Sequence, residues 1–318
     1  WNASEVDQFA WGDAVTFDDT GANTSIAITG ELQPSAINVT GSQNYTITGG
    51  TGNFISGLAG ITKSGSSALL LNAPNTISGT VGITGGSIQI GDGTNNTASI
   101  GTGAISISSG SSLVFYRNGA LTVSNVVSGA GTLAFQGTGV SEQSSYTISG
   151  NNSGFSGTPE ARSGSRLSLD STNDVGSSSI VVNSGGQIFL TNGTTYSNNV
   201  SLNGIGWTEA AGNLGAVRFT TGATLSGTVT LTGNSRLTTY ASGDTGTISG
   251  NIGDGGNAYG ITKTGAGVLS IGGTNTFTGT TTVSEGVLRL NSTNAAPGGI
   301  GATGGVSNIS LNGGLLGL

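Results

Sequence analysis

The 318-residue chain contains no Cys, Met or His, which excludes disulfide bonds, thiolate or imidazole metal sites and histidine acid–base catalysis. Charged residues make up only 7% of it, against roughly 25% in an ordinary globular domain, and Gly alone accounts for 60 residues. Its net charge of -7, without a basic cluster, argues against nucleic acid and acidic lipid headgroups as partners. No apolar run reaches the length of about 18 residues that membrane insertion requires.

The opening segment, residues 1–20, differs from the remainder because aromatic residues cluster in it. These are Trp1, Phe9, Trp11 and Phe17. They predict an atypical N-terminal cap or a segment that docks onto a neighbouring subunit, and a sugar-stacking platform is the alternative. Asp18 and Asp19 follow, and we interpret them as turn residues that make Asx hydrogen bonds.

Beyond this segment, short runs of alternating apolar and small polar residues are bounded by Gly, Asn or Asp, which indicates strands. Four examples predict a strand, a tight turn and a second strand: residues 104–115, 179–190, 229–240 and 308–318. The central Gly or Asn supplies the positive φ that a sharp corner requires. No window shows helical periodicity with caps.

One strand–turn–strand unit cannot bury its own apolar face, whereas a stack of such units can. Successive rungs would hydrogen-bond at ~4.8 Å and enclose a continuous core of inward residues. The composition hardly changes along the chain, and no linker interrupts it. We therefore predict an all-β fold, a single β-solenoid over residues 1–318.

An internal repeat gives the clearest pattern. Residues 61–90 match residues 261–290 at a constant offset, and both begin with Ile-Thr-Lys. The shared positions are Gly65 and Gly265, Leu69 and Leu269, Asn75-Thr76 and Asn275-Thr276, Gly79-Thr80 and Gly279-Thr280, and Gly86 and Gly286. A third, degenerate copy runs from Gly129 through SGNNSGFSGT to Leu169.

These motifs resemble the autotransporter-associated β-strand repeat, also called the passenger-associated transport repeat. The predicted copies occupy residues 61–92, 129–170 and 261–292. The resemblance implies a right-handed parallel β-helix exported to the bacterial surface or the extracellular space, as the passengers of autotransporter adhesins are. It says little about a ligand.

Candidate chemical groups are few, and no metal, cofactor or catalytic residue is predicted. Lys63 and Lys263 share one repeat position, where we expect the stem to cover apolar surface and the charge to stay in water. IGDGTNN (residues 90–96) and NIGDGGN (residues 251–257) are similar to a calcium-binding nonapeptide, but they are not tandem, so they are interpreted as ordinary corners.

The apolar C-terminal sequence GGLLGL predicts an uncapped last rung. Its leucines Leu315, Leu316 and Leu318, together with the preceding Leu311, are the candidate acceptor for the aromatic segment of another copy. The leading hypothesis is therefore an extracellular, non-enzymatic filament protomer that assembles head to tail with itself. A monomeric adhesin that binds glycans or host surfaces, through Trp207 or another exposed aromatic, is the alternative. A β-helix polysaccharide-degrading enzyme that uses Asp18 or Asp19 comes third.

Overall fold

The computed structural model describes residues 9–139, 144–296 and 308–317, and in these residues it contains 37 strands and no helix. Consequently, no helix in the described part of the chain could cross a membrane.

The strands are short and follow one another at close intervals. The first group is β1 (Ala14–Phe17), β2 (Ser25–Ala27), β3 (Glu31–Leu32), β4 (Ala36–Val39), β5 (Tyr45–Thr48), β6 (Phe54–Ile55), β7 (Gly60–Lys63), β8 (Ala68–Asn72), β9 (Pro74–Asn75), β10 (Val81–Ile83), β11 (Ser87–Ile90) and β12 (Ser99–Ile100). The second group is β13 (Ile105–Ile107), β14 (Ser112–Tyr116), β15 (Leu121–Val123), β16 (Val127–Gly129), β17 (Thr132–Gln136), β18 (Ser145–Ile148), β19 (Thr158–Ala161), β20 (Arg166–Leu169), β21 (Ile180–Val182), β22 (Gln187–Leu190), β23 (Thr195–Tyr196) and β24 (Val200–Gly204). The third group is β25 (Thr208–Glu209), β26 (Gly212–Asn213), β27 (Val217–Phe219), β28 (Ala223–Leu225), β29 (Val229–Thr239), β30 (Thr245–Ile248), β31 (Ile252–Gly253), β32 (Ile261–Thr264), β33 (Val268–Ile271), β34 (Thr281–Val283), β35 (Val287–Leu290), β36 (Ile309–Leu311) and β37 (Leu315–Gly317).

Each coil pairs in parallel with the coil before it and the coil after it. Strand β4, for example, lies between β1 and β7, with Ile37 opposite both Val15 and Ile61. Strand β34 likewise pairs with β32 and with β36. The chain thus forms a β-solenoid of about 12 turns, and the predicted all-β parallel solenoid is confirmed.

The core is a set of columns in which side chains from successive coils stack on one another. One column consists of Ile47, Leu71, Ile90, Phe115 and Phe135, which are opposite one another in register and at most 2% exposed. The two phenylalanine rings lie parallel, with centroids 5.7 Å apart. Burying each such side chain contributes about 1.5–3 kcal/mol, so stability accumulates along the stack.

Alternating burial confirms the predicted inward positions. In β33, Leu269 and Ile271 are buried, whereas the alternate residues Val268 and Ser270 are partly exposed. This pattern follows from strand geometry, because successive side chains point to opposite faces of a strand.

Three of the four predicted strand–turn–strand units occur, as β13–β14, β21–β22 and β36–β37. The prediction for residues 229–240 is wrong, because this stretch forms the single strand β29. Gly233 and Asn234 do not adopt positive φ, so the backbone stays extended around the corner. The first half of β29 pairs with β24 and the second half with β27.

Strand β29 pairs with both β24 and β27, and between these two strands the chain leaves the coil in a loop, hereafter the excursion. Strands β25 and β26 pair there as an antiparallel hairpin. The loop returns along the outer face of the solenoid, where Gln187 donates from Nε2 to the carbonyls of Leu214 and Gly215, at 3.1 and 2.8 Å. The excursion therefore covers part of the outer surface.

Candidate functional site

The two repeat lysines lie inside the solenoid, which corrects the expectation that their charges stay in water. Lys63 is fully buried and Lys263 is 1% exposed. Each lysine is the last inward-facing residue of its strand, Lys63 in β7 and Lys263 in β32, and lies next to a corner of the coil. The lysine position of the repeat is therefore a core position.

Both ammonium groups donate to three backbone carbonyls at equivalent places in the two copies. Nζ of Lys63 lies 2.7, 3.2 and 3.2 Å from the carbonyl oxygens of Ser64, Gly65 and Gly85. An ammonium group has three hydrogens to donate, so this geometry uses all of them. The outward expectation failed because a corner leaves inward-facing carbonyls that need donors.

In the second copy, Nζ of Lys263 lies 2.8, 2.6 and 3.1 Å from the carbonyl oxygens of Thr264, Gly265 and Glu285. Burial lowers the pKa of Lys263 to about 8, and the nearby Glu285 carboxylate partly offsets this effect. Burial also lowers the pKa of Lys63. These lysines join a corner to the next coil.

The repeat asparagines join adjacent coils in the same way. Oδ1 of Asn75 accepts from the Ile55 amide at 3.0 Å, and its Nδ2 donates to the Ser99 carbonyl at 3.1 Å. Asn275 bonds equivalently to Ile252 and Ala295, at 2.7 and 2.6 Å. Each amide group thus satisfies one donor and one acceptor of neighbouring coils, which a shorter or apolar side chain could not do.

Asn152, in the predicted degenerate copy, makes the same pair of bonds. Its Oδ1 accepts from Val127 at 2.6 Å and its Nδ2 donates to the carbonyl of Asp174 at 2.8 Å. The asparagine of the repeat is therefore retained in this coil, although the lysine is absent from it.

Of the acidic residues considered for catalysis, Asp18 makes the predicted Asx hydrogen bond, whereas the Asp19 side chain bonds to the next coil. Oδ1 of Asp18 accepts from the Thr20 amide and hydroxyl at 2.9 and 2.6 Å. Oδ1 of Asp19 accepts from the amides of Ser42 and Gln43 in the next coil, at 2.7 and 2.9 Å. These hydrogen bonds lower the pKa of both carboxyl groups, so both are acceptors in their ionised form.

The two fragments with a calcium-like pattern also form corners. Oδ1 of Asp92 accepts from the amide and hydroxyl of Thr94. The carboxylate of Asp254 accepts from the amides of Gly256 at 2.8 Å and Thr278 at 2.9 Å. Within the described residues, no three His, Cys, Asp or Glu side chains are grouped so that they could hold a metal ion.

The structure brings together two of the N-terminal aromatics. Phe9 and Phe17 line an apolar cavity of about 760 Å³ inside the first coils, and the Phe17 ring lies 5.1 Å from that of Tyr45. Trp11 is 67% exposed and does not line this cavity. Trp1 lies outside the described residues.

At the other end, β36 and β37 carry the candidate leucines. Leu311 and Leu315 are 53% and 66% exposed, whereas Leu316 is partly buried against the core. Leu318 lies outside the described residues. The structure thus places apolar side chains on the last described rung, and whether another copy contacts them stays a prediction.

Trp207 is only 3% exposed, so its assignment as an exposed aromatic is wrong. It belongs to an alternating series of rings and guanidinium groups on the outer face, hereafter the arginine–aromatic stack: Trp207, Arg166, Phe189, Arg218 and Tyr240. Sequence reasoning missed this cluster. The signal was faint, since its members come from β20, β22, β27, the excursion and the residue after β29.

Distances along the arginine–aromatic stack are those of cation–π contacts. The guanidinium carbon of Arg166 lies 4.7 Å from the Trp207 ring centre and 4.9 Å from that of Phe189. That of Arg218 lies 4.7 Å from Phe189 and 5.2 Å from Tyr240. Contacts within about 6 Å of a ring are attractive and strengthen when they are shielded from water.

Glu209 of the hairpin joins the two arginines of the stack. Its carboxylate pairs with Arg166 through one oxygen and with Arg218 through the other, the latter at 3.0 Å. Nε of Arg166 also donates to Gln187, at 2.8 Å. The hairpin is thus fastened to the coil by charges that are largely shielded from water.

Comparison with known proteins identifies two of the predicted repeats. The passenger-associated transport repeat model matches residues 61–90 and 261–290. The predicted third copy is not among the matched residues.

A curated relative is the adhesin BmaC autotransporter of Brucella suis biovar 1, 28% identical over 256 residues. The match covers 70% of this chain and 7% of that protein, so the chain spans a small part of its relative's length. No solved structure matches the chain significantly. The chain is therefore a β-solenoid protein with passenger-associated transport repeats, related in sequence to an autotransporter adhesin.

Proposed function

We propose that this chain is a non-enzymatic structural and adhesive rod, part of an exported protein at the bacterial surface. The observation that carries the proposal is the ladder of parallel pairings, which continues through the described coils from β1 to β37 around one core. Such a stack is elongated and presents long outer faces to partners. The two transport repeats and the similarity to an autotransporter adhesin support export and a surface location.

A structural role agrees with how the polar groups are used. The buried lysines, the repeat asparagines and the corner aspartates bond to the backbone of their own or the next coil. Asp18 and Asp19, the candidates for polysaccharide cleavage, hold turns. Incubation with polygalacturonate should therefore release no new reducing ends, and turnover that is lost in Asp19→Asn would contradict the proposal.

Display of the chain on a non-adherent bacterium tests the adhesive rod directly. We expect the displayed chain to increase attachment to glycan-coated surfaces, and solution scattering of the purified chain to give a rod of constant cross-section. A compact sphere in scattering would overturn the rod. Attachment equal to that of cells without the chain would overturn the adhesive role.

We further propose that copies stack head to tail, with the last rung of one covering the first coils of the next. The first coils form the apolar cavity lined by Phe9 and Phe17, and the last described rung exposes Leu311 and Leu315. Strand β1 at one end and strand β36 at the other each pair in parallel with a strand of the neighbouring coil, so a second copy could continue the ladder. A head-to-tail contact that does not close produces a filament.

Electron micrographs and light scattering of the purified chain test this assembly. We expect rods of constant width whose length grows with concentration, and we expect Leu315→Lys to shorten them by placing a charge in the contact. Val126→Lys, at a half-exposed position in a coil between the two ends, is the matched control. A monodisperse monomer at high concentration would overturn head-to-tail stacking and favour the second candidate, a monomeric adhesin passenger, which the similarity to an adhesin supports.

A further inference from the structure

The net charge of the chain is concentrated in the first coils of the solenoid. Residues 1–62 contain six Asp and Glu residues and no Lys or Arg, which gives this segment a net side-chain charge of -6. Residues 63–318 contain nine acidic and eight basic residues, so their net side-chain charge is -1. Glu285 is the last acidic residue of the sequence, and Arg289 is the one charged side chain that follows it. The two ends of the stack therefore differ, because the first coils are strongly acidic and the last coils are not.

The first and last described strands, β1 and β37, lie on the same side of the solenoid. Strands β1, β4, β7, β10, β13 and β16 form one sheet, and β16 reaches the next coil through a parallel bridge between Gly129 and Phe155. Ser178 donates to the Phe155 carbonyl, and Asn198, just after β23, donates to the Ser178 carbonyl. Strand β23 begins the sheet that ends with β37. Among the described residues β1 pairs only with β4 and β37 only with β35, so a second copy could add its β1 to the open edge of β37.

The alternation of side chains restricts how β1 of a second copy can follow β37. Leu316 and Phe17 are both partly buried against the core, so we place them opposite each other, where both continue it. The residues that follow them, Gly317 and Asp18, are then opposite each other on the outer face. Gly317 is itself opposite Arg289 of the preceding coil. Arg289 and Asp18 of the next copy thus stand in one column, and Gly317 has no side chain to separate them.

Both charged groups of this column have bonding capacity that the chain leaves unused. Arg289 is exposed, and its guanidinium group makes no hydrogen bond or ion pair with the described residues. Oδ1 of Asp18 accepts from Thr20, whereas its Oδ2 accepts no hydrogen bond from the part of the chain that the structure describes. Parallel strands are ~4.8 Å apart, so the Cα atoms of Arg289 and Asp18 would be roughly 10 Å apart across Gly317. An extended arginine side chain and an aspartate side chain together span that distance.

We propose that the acidic first coils recognise the opposite end of a second copy through an ion pair between Asp18 and Arg289. The inference rests on the head-to-tail stacking proposed above and names the residues that give the stacking its direction. Contact between two first ends would bring six acidic side chains from each copy together without a basic one. Like charges placed opposite one another oppose association, whereas an arginine opposite an aspartate favours it. Apolar contact between Leu316 and Phe17 stabilises the junction, and the charges determine which ends meet.

Charge reversal at the two positions tests this contact, with sedimentation velocity as the measure of assembly. We expect Asp18→Arg alone and Arg289→Asp alone each to weaken association about fivefold, since each places like charges opposite one another. A mixture of the two proteins should assemble again, because every junction between the two variants pairs an arginine with an aspartate. Asp170→Arg, at an exposed position in a middle coil, is the matched control and should assemble as the unchanged chain does.

Asp18→Asn separates loss of the charge from loss of the fold, because its Oδ1 can still accept from Thr20. It should keep the circular dichroism spectrum of the unchanged chain and weaken association less than Asp18→Arg does. Undiminished assembly of both single reversals would overturn the ion pair and leave head-to-tail stacking standing. A mixture that assembles no better than its components would do the same. Monomers in every protein, the unchanged chain included, would overturn the stacking and this contact with it.

Discussion

Lys263 shows how one residue of the repeat stabilises a corner. Its three carbonyl acceptors surround a side chain that is 1% exposed, so removing the ammonium group takes away their donor, at about 1–3 kcal/mol for each orphaned group. The desolvation that lowers its pKa opposes this effect, and the loss of three charge-assisted hydrogen bonds outweighs it.

We therefore expect Lys263→Met, which keeps the side-chain length, to lower the free energy of unfolding by about 1–3 kcal/mol. Denaturant titration at pH 7 measures the change. Lys63→Met should behave alike, because its acceptors are equivalent. The control Arg289→Met, at an exposed position, should stay within about 0.5 kcal/mol. Equal stability of Lys263→Met and the unchanged chain would show that the corner carbonyls need no donor.

A second single residue, Asp174, predicts that the free energy of unfolding depends on pH. Burial raises the pKa of this carboxyl group to about 6, from 3.8, although the amides of Asp170 and Ser171 donate to it. The folded state therefore holds a proton that the unfolded chain has released between these two values. This contribution to stability is fully present below pH 3.8 and is lost as pH rises through about 6.

The expected loss is on the order of 2–3 kcal/mol, at about 1.4 kcal/mol per pH unit between the two pKa values. Asp174→Asn should remove this step, because its Oδ1 can still accept from both amides. Denaturant midpoints between pH 3 and pH 8 measure the difference between the two proteins. Parallel pH profiles for the two proteins would mean that Asp174 is ionised in the folded state.

At the scale of the element, the corners fix the path of the chain. Gly286 has φ +62°, and a Cβ there would lie 2.4 Å from the carbonyl oxygens of Gly265 and Gly267 in the coil before it. The backbones of the two coils are therefore so close that no side chain fits between them at this position. Gly65 of the first copy is similar, with φ +71° and a Cβ 2.1 Å from the Gly41 carbonyl.

Gly286→Ala should therefore cost about 1–3 kcal/mol, because both the positive φ and the close backbone oppose a methyl group. Gly243→Ala is the matched control, since nothing lies within 4 Å of its Cβ and its φ is not positive. Thermal or denaturant unfolding of the two variants makes the comparison. Equal stabilities would mean that the coils can separate at the corner without cost.

The elements also show what the sequence could and could not reveal. Alternation and repeat spacing identified the strands and inward positions such as Leu269, because both follow from local geometry. The Lys263 side chain was predicted to point into water, but it points inward, because one of the carbonyls that accept from it belongs to the next coil. The arginine–aromatic stack was missed for the same reason: Arg166 and Trp207 are far apart in sequence and meet only because the excursion folds back onto the coil.

At the scale of the whole molecule, the stability of each coil depends on its contacts with the adjacent coils. Each coil contacts mainly the coil before and the coil after it, so damage in one coil should weaken its neighbours and leave distant coils intact. This behaviour differs from that of a globular domain, in which one core couples all elements. It agrees with the structural role proposed above, because a local opening does not release the remainder.

Leu231→Asp, near the start of β29, tests this independence of the coils. Leu231 is 1% exposed, so the change buries an unpaired charge at a cost of several kcal/mol. Thr230→Asp, one residue earlier with its side chain facing outward, is the matched control and should change stability little. Hydrogen exchange in Leu231→Asp should accelerate in the adjoining strands β24, β29 and β31 and stay unchanged in β4 and β8. Faster exchange throughout the chain would mean that the coils unfold as one cooperative unit, and that the rod lacks the modular stability expected of stacked rungs.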